Sequence, residues 1–325
     1  MPKSVLRGLG AVVLVLSFDA GIGACSSSSG ASSVSASQAS TDIGTALCTN
    51  IDSCSTYFID VTWSDVATCG SRSALSLMNV LAAGGTGWTP SSVEACAQAL
   101  AKASCDATLG NDPPAACQAP AGQLAAGMPC GDSSQCQSTY CNIGTSTCGT
   151  CAATRGAAGS PCYRNDDCVY GIVCDGAATT PPATEGTCTQ LVAAGGDCDT
   201  KHPCDRALAC KNAVCAQPDE AGQPCSSGTC DTLAGLYCKM AAGTTTGTCA
   251  TVNLAAAGAP CGLINDQVSQ CGAGGNCALA TATTGTCQAP IADNMPCDAT
   301  KGPGCMSPAT CTAGECVVPD PASCH

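Results

Sequence analysis

"AAGMPC", residues 125–130, returns five times along the chain: "AAGSPC" at 157–162, "AAGGDC" at 193–198, "EAGQPC" at 220–225, "AAGAPC" at 256–261 and "ADNMPC" at 292–297. The intervals between the closing cysteines are 32, 36, 27, 36 and 36 residues. A period of this length marks an array of small units. Within each unit a second cysteine follows after 5 to 10 positions and a third after a further 5 to 8. A fourth often closes a Gly-Thr-Cys triplet, as at Cys188, Cys249 and Cys287. This spacing gives six units starting near residues 125, 157, 193, 220, 256 and 292. Their cysteines are Cys130, Cys136, Cys141 and Cys148; Cys162, Cys168, Cys174 and Cys188; Cys198, Cys204, Cys210 and Cys215; Cys225, Cys230, Cys238 and Cys249; Cys261, Cys271, Cys277 and Cys287; and Cys297, Cys305, Cys311 and Cys316.

A unit of about 30 residues with one or two large apolar side chains, such as Ile172 and Val173 or Leu236 and Tyr237, cannot bury enough surface to fold by the hydrophobic effect alone. Two crosslinks per unit each remove about 3 kcal/mol of denatured-state entropy in the chain-entropy model, so the disulfides act as the core. Threonine-rich inserts before the fourth cysteine ("CKMAAGTTTGTC", "CALATATTGTC") suit short hairpins with glycine turns, and irregular loops are expected elsewhere. Chained end to end, the units predict an elongated array. Their opening phrase and four-cysteine spacing resemble the cysteine-rich repeat of Dickkopf N-terminal-like domains, which also occur in arrays in secreted and lipid-anchored bacterial proteins. The resemblance covers residues 125–320. It implies a fold, and no receptor-binding residue is carried over.

The chain before the array differs in kind. Residues 41–124 hold Trp63, Trp88 and Phe58, the bulky material of an ordinary core. Ile43, Leu47, Ile51 and Cys54 recur at helical spacing, as do Leu75, Met78 and Leu81. "SSVEACAQALAKAS" opens with Ser91 three residues ahead of Glu94 after Pro90, and Thr62 with Asp65 repeats that start signal. Three or four short helices are expected, crosslinked by Cys48, Cys54, Cys69, Cys96, Cys105 and Cys117 in a pairing the spacing leaves open. The fold class is therefore a small all-α disulfide domain followed by disulfide-rich repeats with short β-hairpins.

The chain has 33 cysteines, a density that marks a disulfide scaffold in an exported protein. Residues 1–24 supply an export signal: Lys3 and Arg7 precede the apolar run "GLGAVVLVLSF", which is shorter than the ~20 apolar residues of a membrane span. The signal ends in "GIGAC". Ile22 is the wrong residue for a small-x-small secretory cleavage site. The segment instead resembles the lipobox of bacterial lipoproteins, which implies cleavage before Cys25, a thioether-linked diacylglycerol on its sulfur and an acylated amine. With Ser26 following, the resemblance implies the outer membrane of a Gram-negative cell, on its periplasmic or surface face; the alternative is a freely secreted protein. Residues 26–40 contain nine serines and read, with Cys25, as a flexible tether averaging about 20 Å end to end. Setting Cys25 apart leaves 32 cysteines, an even number. Six belong to the helical domain and 24 to the repeats, so Cys151 and Cys324 remain unassigned.

Without residues 1–24 the chain carries 9 basic and 23 acidic residues, which excludes the basic patch that nucleic acid would need. The partners expected are the membrane, through Cys25, and surface proteins or glycans; no nucleic acid and no cofactor are expected.

The residues that could carry chemistry are few. Cys148 and Cys151 ("CGTC") have the spacing of a thioredoxin-type redox pair, yet they sit inside a repeat rather than at a strand-to-helix turn. Zinc sites need paired knuckles or spaced histidines, and the chain has two histidines, His202 and His325. Neither lies near a nucleophile elbow. Asn165, Asp166 and Asp167, or Asp197 and Asp199, could ligate calcium, but they match no twelve-residue loop and read as turn residues. "GAGGNC" near Gly272 lacks the helix of a phosphate cradle. A non-catalytic recognition, adhesion or envelope-structural role is therefore expected; the alternatives are a protease inhibitor and an exported redox protein using Cys148 and Cys151.

Overall fold

A computed structural model describes residues 34–177, 183–241, 243–298 and 302–324. The expected export signal, Cys25, the first serines of the expected tether and His325 lie outside these residues. Five helices come first: α1 (Ala36–Cys54), α2 (Thr56–Thr62), α3 (Val66–Ala82), α4 (Pro90–Leu100) and α5 (Cys105–Leu109). α1 starts five residues before the expected boundary at 41, which takes residues 36–40 out of the tether. Ser35 Oγ accepts from Gln38 N–H at 3.1 Å, so one tether serine is a cap. Ala39 and Ser40 are fully buried. Ser55 ends α1 and caps α2, accepting from Phe58 N–H at 3.0 Å. Asp65 caps α3, accepting from Thr68 N–H at 2.7 Å. The start of α4 is two residues earlier than expected: Thr89 and Ser92 form the reciprocal box, Pro90 takes the first helical position, and Glu94 accepts from Gln98 instead.

α1 packs on α3 and α4, with Ile51, Ile59, Val80, Val93 and Leu100 buried and bridges Cys48–Cys69, Cys54–Cys105 and Cys96–Cys117 stapling the domain. Glycines set the closeness of α1 and α3. A Cβ on Gly44 would lie 2.4 Å from the Gly70 carbonyl oxygen. Gly44→Ala is expected to destabilise the protein by about 1–3 kcal/mol through overpacking, seen as a lower urea midpoint at unchanged slope; an unchanged midpoint contradicts this packing.

All six repeats share one pattern. The first cysteine bonds the third and the second bonds the fourth: Cys130–Cys141 with Cys136–Cys151, Cys162–Cys174 with Cys168–Cys188, and Cys198–Cys210 with Cys204–Cys215. The series continues as Cys225–Cys238 with Cys230–Cys249, Cys261–Cys277 with Cys271–Cys287, and Cys297–Cys311 with Cys305–Cys316. The third and fourth cysteines face each other across an antiparallel hairpin, as in Cys174↔Cys188 and Cys277↔Cys287. The residue six before the first cysteine bridges the second in parallel, as with Leu124↔Cys136 and Ile291↔Cys305.

The glycine of the opening phrase has a physical reason. Gly127, Gly159, Gly195, Gly222 and Gly258 adopt φ between 82° and 87°, and each donates its N–H to the fourth cysteine's carbonyl at 2.8–2.9 Å. In the sixth repeat Asn294 does this at φ 61°, asparagine being among the few other residues that tolerate this region.

The first repeat corrects the sequence-based assignment: its fourth cysteine is Cys151, and the extra one is Cys148, which bonds Cys324. The missed signal is Gly149-Thr150-Cys151, the same triplet that closes three other repeats. Its glycine is required by contact, since a Cβ on Gly149, Gly186, Gly247 or Gly285 would lie 2.0–2.4 Å from a carbonyl oxygen of the neighbouring strand.

The repeats do not lead away from the helices. The loop after α3 receives the first repeat (Gly87 N–H to Ser134 O, 2.7 Å), and the segment after α5 receives the second (Gly171 N–H to Asn111 O, 2.8 Å). Leu191, entering the third repeat, lies near the end of α5: a Cβ on Gly110 would be 3.9 Å from its Cδ1. Ser55 donates to Leu233 O in the fourth repeat at 2.6 Å, and Tyr57 to Gln270 in the fifth at 2.6 Å. Arg72 of α3 holds the sixth, and Asn79 holds the segment after it. With Cys148–Cys324 joining the first repeat to the segment after the sixth, the array is covalently closed and packed on the helical domain, and the elongation expected from the sequence is not shown.

Candidate functional site

The chemistry-bearing side chains are engaged in holding this arrangement. Every cysteine from Cys48 to Cys324 is in one of sixteen bridges, so none offers the thiolate that nucleophilic or metal chemistry requires. Cys148 and Cys151 do not form the redox pair that their spacing suggested, being bonded to Cys324 and Cys136. Sulfur triads such as Cys130, Cys136 and Cys151 lie within 4.8 Å of one another. Their closeness comes from two bridges packed side by side.

The acidic candidates resolve into turns. Asp167 accepts from the Tyr163 and Arg164 N–H groups at 2.8 and 3.0 Å and from the Tyr140 hydroxyl at 3.2 Å. Asn165 accepts from Cys174 N–H at 2.9 Å, and the Asp166 carbonyl accepts from Arg155. Asp197 bridges Val214. Asp199 accepts from the Lys201 and His202 N–H groups and sits 2.8 Å from His202 Nδ1; the Lys201 backbone bond, with those from His202, holds its carboxyl below the usual range. His202 is on an exposed loop. The "GAGGNC" loop caps a helix: Ala273 and Gly274 N–H donate to Asp60 O and Val61 O, carbonyls that the end of α2 leaves unpaired.

Two junctions are built from charge. Between the first two repeats, the Arg155 guanidinium lies 5.5 Å from the Tyr140 ring centre and 4.7 Å from that of Tyr170, a cation–π sandwich. Burial, then the charge of Asp167 beside it, pushes the Tyr140 hydroxyl up to about 12. Between α3 and the sixth repeat, Arg72 grips both carboxylate oxygens of Asp293 at 2.5 and 2.7 Å and donates to Ser307 O and Met306 O at 2.9 and 2.8 Å. No sequence feature singled out Arg72 or Arg155.

Grooves among the described residues include three along the seams between helices and repeats. The largest, 480 Å³, runs where the α1–α2 junction meets the third and fourth repeats, beside Asp52, Tyr57 and Asp231. A more apolar one of 370 Å³ is bounded by Ile43, Leu47, Trp63, Leu77, Val80 and Pro308, and a third of 290 Å³ lies beside Leu254 and Gly272. The exposed large apolar side chains include Met240 and Leu279, each on a hairpin strand, and Leu75 and Met78 on α3. No protein-family model, curated protein or solved structure matches the chain. Its extensive disulfides are those of an exported protein, and among the described residues no helix is long and apolar enough to cross a membrane.

Proposed function

We propose that this protein is a lipid-anchored, non-catalytic protein of the outer membrane or cell surface that presents its repeats for recognition, adhesion or structural support of the envelope. The observation that carries the anchor is the count: 32 of the 33 cysteines pair among themselves, which leaves Cys25 no partner in the chain. An unpaired thiol is a liability outside the cell, and lipidation at the lipobox-like "GIGAC" disposes of it. The support for recognition is that the cysteines from Cys48 to Cys324 are committed to disulfides, while inter-cysteine loops of differing length stay exposed. An array of such loops suits multivalent weak binding. The four-cysteine pattern common to all six units supports the Dickkopf-like reading of the repeats.

Cys25→Ser is expected to move the protein from the membrane fraction to the soluble one, and intact mass of the membrane-extracted wild type should show acyl chains on Cys25. A wild-type protein found unmodified and wholly soluble sinks the anchor. Recognition is tested by binding of the purified protein to cells, glycans and envelope proteins; no binding to any of them favours a structural role.

A further inference from the structure

Fifteen of the sixteen bridges lie within one unit, at sequence separations of 11 to 51, whereas Cys148–Cys324 spans 176 residues. Its sulfurs are brought together by the packing of the intervening repeats on the helices. The seat of the second sulfur is specific. After the sixth repeat Asn79 donates to Pro319 O at 3.0 Å, and Asp320 caps a 3-10 turn over Pro321–Ser323. That turn lies in a notch left by Gly131 of the first repeat: a Cβ there would be 2.5 Å from Pro321 Cα and 3.0 Å from Cys324 Sγ. Upstream, the Arg72 contacts with Asp293, Met306 and Ser307 fix the sixth repeat on α3.

We propose that Cys148–Cys324 is a latch that closes last, and only after the sixth repeat has docked on α3. The chemistry is thiol–disulfide exchange with a disulfide oxidant. One protein thiolate attacks an oxidant sulfur and expels the oxidant's other sulfur as a thiolate; the second protein thiolate then displaces what remains. Two protons and two electrons leave the protein thiols, and the oxidant ends as a dithiol or two thiols. Contact probability falls as the three-halves power of loop length. In an undocked chain a 176-residue loop therefore meets about fifty-fold less often than a repeat's own loop of about 12 residues. Docking removes that handicap, so latch closure reports a completed assembly. The latch does not depend on the lipid at Cys25.

The test is oxidative refolding of the reduced full chain in a glutathione redox buffer, with thiols trapped by alkylation and located by peptide mass. Wild type should accumulate species in which Cys148 and Cys324 are alkylated and the repeat bridges closed. Arg72→Ala should keep those two alkylated at least ten-fold longer. Gly131→Val, which leaves the Arg72 contacts intact and fills the notch, should do the same, and it decides alone should Arg72→Ala fail to close its repeats. Closure of Cys148–Cys324 no later than the repeat bridges, or at the wild-type rate in Gly131→Val, overturns the proposal.

Discussion

Exchanging Cys271 and Cys287 together for serine is expected to unfold the fifth repeat while the helices persist. The interior of that repeat is Cys261, Cys271 and Cys287, each no more than 3% exposed, with Ala255 beside them and Ala259 and Cys277 at the margin. No large side chain is available to replace the sulfurs. Removing the bridge, which has a sequence separation of 16, forfeits about 3 kcal/mol of denatured-state constraint. Two serine hydroxyls in that interior without acceptors cost a further 1–3 kcal/mol or so each. A unit this small has no comparable reserve. The helices keep Cys48–Cys69, Cys54–Cys105 and Cys96–Cys117, but α2 loses the Ala273 and Gly274 amides at its end. Hydrogen exchange should therefore show protection lost across 260–288, fraying at 60–62, and little change in α1, α3 and α4. Uniform loss over the whole chain would mean instead that repeats and helices unfold as one cooperative unit.

The parts of this architecture visible in the sequence are those written in side chains that the backbone requires. The opening phrase carries glycine because its third residue has φ above 80° in five repeats, and Gly-Thr-Cys carries glycine because two strands touch there. The triplet at Gly149 marks Cys151 as the fourth cysteine and Cys148 as the extra one, whereas the order of the cysteines alone does not. The helical periodicity of Ile43, Leu47 and Ile51 correctly placed α1. Its start did not show, because Ser35 as a cap is indistinguishable in composition from the serines before it. The closure of the array was illegible for a different reason. The helices and repeats meet largely through main-chain groups, such as Asp60 O, Val61 O, Leu233 O, Met306 O and Ser307 O, and a carbonyl belongs to every residue alike. Arg72 on an amphipathic helix reads as a solvated charge; only the approach of Asp293, 221 residues later, makes it a clamp.

Acidification is expected to loosen the sixth repeat from α3 through Asp293. Its carboxylate receives two hydrogen bonds from Arg72, whose side chain is 10% exposed against 25% for Asp293. The hydrogen bonding by Arg72, followed by its charge, holds the Asp293 carboxyl below the usual carboxylate range despite partial burial. Because the folded-state value is depressed, the stabilisation is complete above the unfolded carboxyl's pKa of about 3.9 and is lost as pH falls through the folded one. Breaking a buried pair costs 3–5 kcal/mol, and the partial exposure of Asp293 reduces this to about 2–3 kcal/mol here. Asp293→Asn keeps the shape and removes the charge, so at pH 7 it should destabilise the protein by that amount. As pH falls below the unfolded carboxyl's pKa and through the folded one, the difference between wild type and variant should shrink, since a protonated carboxyl and an amide bind Arg72 comparably weakly. Other capped carboxylates, such as Asp65, titrate in both proteins and cancel in the difference. The measurement is the difference in urea midpoint between the two proteins from pH 7 to pH 2.5, with hydrogen exchange at 310–317 as the local readout. With the latch closed the sixth repeat stays tethered when it undocks, so the loss should be local and reversible on neutralisation. A difference that persists undiminished at pH 2.5 would show that Asp293 acts there by packing rather than by charge.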